Sequence, residues 1–313
     1  MDITRSTLKR KEHAMMQNAP FGRVVCAMVT PFQADGSIDF KRLESFTDEL
    51  ITSGAQGLLV CGTTGEAPTL SEDERTAQIQ CVCNAAASRV PVLANVGSNS
   101  TAASVAFAKR IAKLPVDGLM AVVPFYNKPP QEGIYQHFVH IAHASDKPLV
   151  LYNIPGRCGI NMQAETTLRL AHDVDTIVAI KEASGNIEQI QTIIDNAPAG
   201  FSVYSGDDSL TFELAKRGAA GVISTIANIA PARMAHMLAL CEQDRFDDAY
   251  REHTALLPLM KGLFETANPI LAKAALHLLG RSVGGLHLPL IEATPEQKQR
   301  LAALLQECGF ALQ

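Results

Sequence analysis

Residues 177–186 read IVAIKEASGN. Ile177 to Ile180 form an apolar run of strand length, and Lys181 follows with no polar residue between. An ammonium group left dry and unpaired at the end of a buried strand is costly. Such a stretch therefore asks for a fold whose buried strands end where a charged group is useful. Side chains alternate along a strand, which puts Ala179 and Lys181 on one face and Val178 and Ile180 on the other.

Seven similar runs recur along the chain. They are VVCAMVTPF from Val24, GLLVCG from Gly57, PVLANVG from Pro91, GLMAVVP from Gly118, PLVLYNI from Pro148, FSVYSGD from Phe201 and GVIST from Gly221. Most are rich in β-branched residues and apolar on both faces, as strands covered on two sides are. Helical stretches lie between them. Residues 71–86 open with Ser71 and Glu74, the spacing of a capping box. QEGIYQHFVHIAHAS and AETTLRLAH carry apolar residues three and four apart. SLTFELAKRG closes on Lys216, Arg217 and Gly218, the charges and glycine of a helix C-terminus.

Strand and helix alternating eight times, joined by right-handed crossovers, predict an α/β fold, a (β/α)8 TIM barrel. The rival is an open doubly wound sheet. It wants a glycine-rich phosphate loop after the first strand, and TPFQADG is not one. After about residue 230 only helical patterns remain. The expected organisation is a flexible N-terminal tail over residues 1–20, the barrel over 21–243 and a C-terminal helical segment over 244–313. Gly284, Gly285 and Pro289 mark a loop in that segment.

Composition narrows the function classes. Hydrophobic residues make up 47% and charged residues 19% of the 313, and the net charge is −5. This is the balance of a soluble globular protein and gives no basic surface for nucleic acid. The short basic run Lys9 to His13 reads as part of the tail. No apolar run reaches the roughly 18 residues of a membrane span, and the N-terminus has no signal-peptide core. Seven cysteines without a CxxC pair point to reduced, buried thiols in the cytoplasm rather than disulfides or a zinc ribbon.

Barrel sites form at the C-terminal ends of the strands. On that rule the candidates are CGTTGE (61–66), PFYNKPP (124–130), LYNIPGR (151–157), Lys181 and SGDD (205–208). A buried lysine can lose its proton and attack a ketone to form a Schiff base. Alternatively Lys181 pairs with Glu182 or with an aspartate across the mouth. Tyr152 can act as general acid or base beside an imine, or simply pack with its hydroxyl on a backbone group. Thr63 and Thr64 occupy a tight turn suited to a carboxylate, or only to turn chemistry. Arg157 can clamp a carboxylate, or form a surface ion pair. His137, His140 and His143 recur every three residues without a partner carboxylate cluster, which argues against a metal. Asp207 and Asp208 suit a helix cap better than magnesium.

Taken together, GTTGE, PFYNKPPQEG, YNIPGRCG, IKEASGN and SGDDS resemble the N-acetylneuraminate lyase superfamily of pyruvate-dependent class I aldolases. The similarity is greatest to its dihydrodipicolinate synthase branch and runs from about Gly22 to the C-terminus. The resemblance implies the following roles. Lys181 condenses with pyruvate, and Tyr152 shuttles protons. Thr63 links Tyr152 to Tyr126, which reaches in from a neighbouring subunit. Thr64 binds the pyruvate carboxylate, and Arg157 receives the carboxylate of aspartate semialdehyde. Gly206 and Ile223 line the pyruvate pocket through their backbones. It further implies no cofactor or metal beyond the covalent imine, and a homotetramer built as a dimer of dimers. Alternatives are another pyruvate lyase, acting on N-acetylneuraminate or a 2-keto-3-deoxy sugar acid, and a catalytically silent keto-acid-binding homologue.

Two departures from the branch bear on regulation. Phe125 stands where a tyrosine is common, and Glu72 and Arg75 lie near positions often held by histidine or other lysine-binding groups. Ala103 replaces a glutamate that often contacts inhibitory lysine, while Asn99 is kept. Weak or absent inhibition by lysine is expected, because an ammonium needs acceptors. Leu271 in NPILAK replaces a common second proline, with no functional meaning attached.

Overall fold

In a computed structural model that describes residues 15–313, eight parallel strands close into one barrel in chain order. The basic run Lys9 to His13 lies outside the described residues. The strands are β1 (Val24–Ala27), β2 (Gly57–Val60), β3 (Val92–Asn95), β4 (Gly118–Val122), β5 (Leu149–Asn153), β6 (Ile177–Glu182), β7 (Ser202–Ser205) and β8 (Gly221–Ser224). Each lies within an apolar run read from the sequence. The helices around them are α1 (Phe40–Thr52), α2 (Glu72–Ala86), α3 (Thr101–Ile111), α4 (Gln131–Ala142), the single turn α5 (Pro155–Cys158), α6 (Ala164–Asp173), α7 (Ile187–Asn196), α8 (Thr211–Lys216) and α9 (Pro231–Glu242). Beyond them come α10 (Phe246–Gly262), α11 (Ile270–Leu278) and α12 (Pro295–Glu307).

Two-faced burial separates two apolar layers. Val25, Leu59, Leu93, Met120, Val150, Ala179, Tyr204 and Ile223 fill the lumen. Val24, Leu58, Leu119, Leu151, Ile180 and Val222 face the helices. Local signals act where the sequence places them. Ser71 caps α2, and the Glu74 carboxylate accepts from the Ser71 amide at 2.8 Å, completing the capping box.

One face assignment differs from the expectation. Leu149 pairs with Ile177 but Val150 pairs with Ala179, so the register skips Val178. Val178 rests against the lumen cluster while Ile180 lies in the outer layer. Such a bulge changes which face a residue meets without disturbing its neighbours beyond. Past the bulge, Tyr152, Lys181 and Tyr204 are register partners on three adjacent strands.

The lower end of the barrel is closed by the residues before β1. Gln17 donates its amide to Gly218 O and accepts from Val203 N, at 2.9 and 2.8 Å. Ser202 Oγ donates to Asn18 O at 2.8 Å, and the Phe21 amide donates to the Tyr204 hydroxyl at 3.2 Å. Gln17 and Asn18, placed in the tail by the sequence reading, are thus bonded to the barrel.

The upper end is tied to the C-terminal helices. Glu66, at the end of the GTTGE turn, has φ 54° and forms a 2.8 Å ion pair with Lys273 of α11. Both side chains are almost wholly buried, at 0% and 3% exposure. Lys273 also donates to Gly285 O at 2.6 Å, and Glu66 accepts from the His287 amide at 2.9 Å. Gly284 lets this loop approach: a Cβ there would sit 1.9 Å from Phe32 O, and its φ is +74°. Removing one member of a buried pair strands the other charge, at about 3–5 kcal/mol. Lys273→Met is expected to lower the unfolding free energy by that order, read as a drop in the denaturant midpoint at unchanged slope. Adding Glu66→Gln is expected to recover most of the loss, because neither charge then remains. An unchanged midpoint in Lys273→Met refutes a stabilising role for the pair.

Candidate active site

Lys181 ends β6 with its side chain in the mouth of the barrel, 7% exposed. Its Nζ lies 4.5 Å from the centre of the Tyr152 ring on β5. Unlike Lys273, it has no ion-pair partner among the described residues. The adjacent Glu182 points the other way. Its carboxylate accepts from Asn153 Nδ2, Ser184 N and Gln189 Nε2 at 2.7–3.3 Å. Pairing between Lys181 and Glu182 is therefore ruled out by geometry.

Burial pushes the Lys181 ammonium down from its ordinary 10.5 to about 8. The positive charge of Arg157 acts in the same direction, and the Asp208 carboxylate opposes both. Asp208 is itself buried, and one oxygen accepts from the amides of Thr225 and Ile226 at 3.0 and 2.9 Å. The cap of the following turn is Asp207, which accepts from Ser209 N at 2.8 Å. Asp208 thus anchors the end of β8 rather than capping a helix.

Tyr152 is buried, and loss of hydration raises its pKa. Arg157 and a hydrogen bond with the Thr63 side chain hold it down against that rise. Thr63, Tyr152 and Arg157 share the wall of a cleft of about 360 Å³ with Asn95, Met120 and Phe125. Thr64 is buried beside Thr63, and its hydroxyl accepts from Asn268 Nδ2 at 2.8 Å. Arg157 reaches the same residue, donating from Nη2 to Asn268 O at 3.5 Å.

Gly206 and Ile223 complete the surroundings. The Gly206 amide donates to Glu182 O at 2.7 Å. A Cβ at Gly206 would stand 2.7 Å from Ala183 Cβ, too close to be accommodated without a shift, and a tight 3.2 Å from Lys181 Cε. Ile223 packs in the lumen cluster with Ala179 and Tyr204. Tyr126 stands apart from all these groups. It is 87% exposed, on a loop where its own φ is 73°.

Lys181, Tyr152, Thr63, Thr64, Arg157, Gly206 and Ile223 therefore converge at one mouth, and Tyr126 does not within this chain. Asn268 and Asp208 belong to the same neighbourhood; the first was not read as a site residue, and the second was read as a helix cap. No periodic signal marks Asn268, and the NPILAK motif is its only hint. The two histidines of α4 turn to separate partners: His137 is bonded to Thr101 Oγ1 at 2.9 Å and His140 to Gln136 O at 2.7 Å, while His143 lies just past the helix.

Comparison with known proteins gives the family and the fold. The profile of the dihydrodipicolinate synthetase family matches residues 20–308. The chain is 50% identical over 280 residues to 4-hydroxy-tetrahydrodipicolinate synthase 1 of Halalkalibacterium halodurans, covering 90% of this chain and 95% of that one. It is 48% identical over 290 residues to the 4-hydroxy-tetrahydrodipicolinate synthase of Moorella thermoacetica, covering 93% and 99%. Its fold is similar to the crystal structure of the Cyanidioschyzon merolae enzyme with lysine bound. The TM-score is 0.92 at 42% identity, covering 93% of this chain and 99% of the other. The chain belongs to the dihydrodipicolinate synthetase family.

Proposed function

We propose that the protein condenses pyruvate with L-aspartate 4-semialdehyde to give 4-hydroxy-tetrahydrodipicolinate, the committed step towards diaminopimelate and lysine. The observation that carries this reading is the buried, unpaired amine of Lys181 against the Tyr152 ring. A neutral amine attacks the keto carbon and water leaves, forming an imine. The protonated imine draws electrons from the methyl group, a proton departs and an enamine results. The enamine carbon adds to the aldehyde. The amine of the second substrate then attacks the imine carbon, closes the ring and releases Lys181. The imine is the electron sink, so no metal or organic cofactor is required.

Tyr152 and Thr63 move the protons, and Tyr126 extends the relay from a neighbouring copy. Its 87% exposure on a left-handed backbone suits a side chain offered to a partner. Thr64 binds the pyruvate carboxylate, Arg157 that of the semialdehyde, and Gly206 and Ile223 bound the pyruvate pocket. The assembly is a tetramer, a dimer of dimers, in the cytoplasm, where its seven free cysteines stay reduced. No helix among the described residues is long and apolar enough to cross a membrane.

Three outcomes test this. First, pyruvate with borohydride should leave a reduced adduct on Lys181. Its rate should rise about tenfold per pH unit below about 8 and level off above, because burial sets the amine near that value. A profile rising unchanged to pH 10 contradicts the assignment. Second, Tyr152→Phe should lower turnover roughly 10²–10⁴-fold with the circular dichroism spectrum retained. Full activity excludes the relay. Third, α3 presents an exposed Ala103 where a carboxylate would be needed to hold an ammonium. Lysine should inhibit only weakly. Half-inhibition below about 1 mM, roughly 4 kcal/mol of binding, reverses that expectation.

A further inference from the structure

The NPILAK motif is not used by the chemistry above, yet it supplies two of the closest contacts to the GTTGE turn. Lys273 holds Glu66, and Asn268 holds Thr64. We propose that Asn268 is a positioning residue for the pyruvate carboxylate: its amide fixes the direction in which the Thr64 hydroxyl donates. The inference rests on the imine reading and names a determinant of its first binding step.

The argument begins with the valence of a hydroxyl, which has one proton and two lone pairs. Asn268 Nδ2 occupies a lone pair of Thr64 Oγ1 at 2.8 Å. The nearest hydroxyl alternative, Thr225 Oγ1, is a long 3.5 Å away. The Thr64 proton is therefore left to be given away, and a carboxylate oxygen is the strongest acceptor it can meet. Turning the hydroxyl the other way would aim its proton at an amide nitrogen that cannot accept it.

Asn268 is suited to this task and poorly explained by packing alone. It is 5% exposed, and its Oδ1 is buried with no hydrogen-bond partner. Among the described residues its side chain makes one bond, the one to Thr64. Its placement does not depend on its own side chain, since Lys273, five residues on, anchors the segment to Glu66 and Gly285.

Asn268 also touches Arg157, but through its main-chain oxygen at 3.5 Å. The two contacts are therefore chemically separable. Replacing the side chain removes the contact to Thr64 and leaves the carbonyl for Arg157. A purely structural role predicts that both substrates suffer together; a positioning role predicts a split.

Steady-state kinetics on the full-length protein measure the split. Asn268→Ala should raise the KM for pyruvate about tenfold, the scale of one lost charge-assisted hydrogen bond. The KM for aspartate semialdehyde and kcat should stay within about twofold. Asn268→Asp, which keeps the shape, should raise the pyruvate KM further, because a carboxylate accepts the Thr64 proton itself. In a Thr64→Val background, Asn268→Ala should change nothing more, as expected for residues acting through one hydroxyl. An unchanged pyruvate KM, a parallel rise in both KM values, or additive effects in the double variant each overturn the proposal. If Asn268→Ala does not fold, Asn268→Asp is judged by the same split. Failure of the imine reading is distinct: the unsubstituted protein would then give no borohydride-trapped pyruvate adduct on Lys181.

Discussion

A primary amine held out of water without a counter-ion is the constraint around which the barrel mouth is arranged. Lys181 is buried at the end of β6, and its proton affinity falls chiefly because hydration is lost. The neighbours keep it so. Glu182 is turned away and bonded three ways, while Asp208, held through one oxygen by two backbone amides, is the one nearby carboxylate that opposes the fall. Gly206 provides no side chain to displace the lysine stem. Arg157 adds like charge from the cleft wall. Each of these would be unremarkable alone, but together they leave the amine free to be neutral near physiological pH. The favourable burial of eight strands elsewhere in the barrel offsets the cost of that one site.

Much of this was legible because parallel strands covered on both faces write themselves as continuous apolar runs. All eight ranges fall inside runs such as GLLVCG and PLVLYNI. Lys181 and Tyr152 were legible for the same reason: each closes such a run, at the end where barrels place chemistry. Roles for the threonines, Arg157, Gly206 and Ile223 came from the resemblance of whole motifs, since hydroxyls and glycines in turns have local explanations of their own. The bulge at Val178 was not readable, because it depends on how β6 registers with β5 and not on its own composition. Asn268 was invisible for a different reason. Its partner Thr64 lies 204 residues away, and nothing in either segment announces the other.

The C-terminal helices are accordingly more than an appendage to the barrel. α11 reaches the mouth with a charge at Lys273, and the loop ahead of it brings an amide at Asn268. The loop after it folds onto the β1–α1 connection through Gly284. Side chains from the far end of the sequence thus brace the turn that carries Thr63 and Thr64. Bracing of this kind suits a site whose hydroxyls must keep one orientation, since small displacements at a reacting centre weaken catalysis steeply.

The opposite end is built differently. Gln17, Asn18 and Phe21 lie across the bottoms of β7 and β8, joined by one backbone bond and by bonds that use the side chains of Gln17, Ser202 and Tyr204. The described chain therefore begins beneath the barrel, at the end opposite Lys181. A support fixed to this lower face itself would hold the molecule by its underside and turn the opening outward, towards whatever flows past.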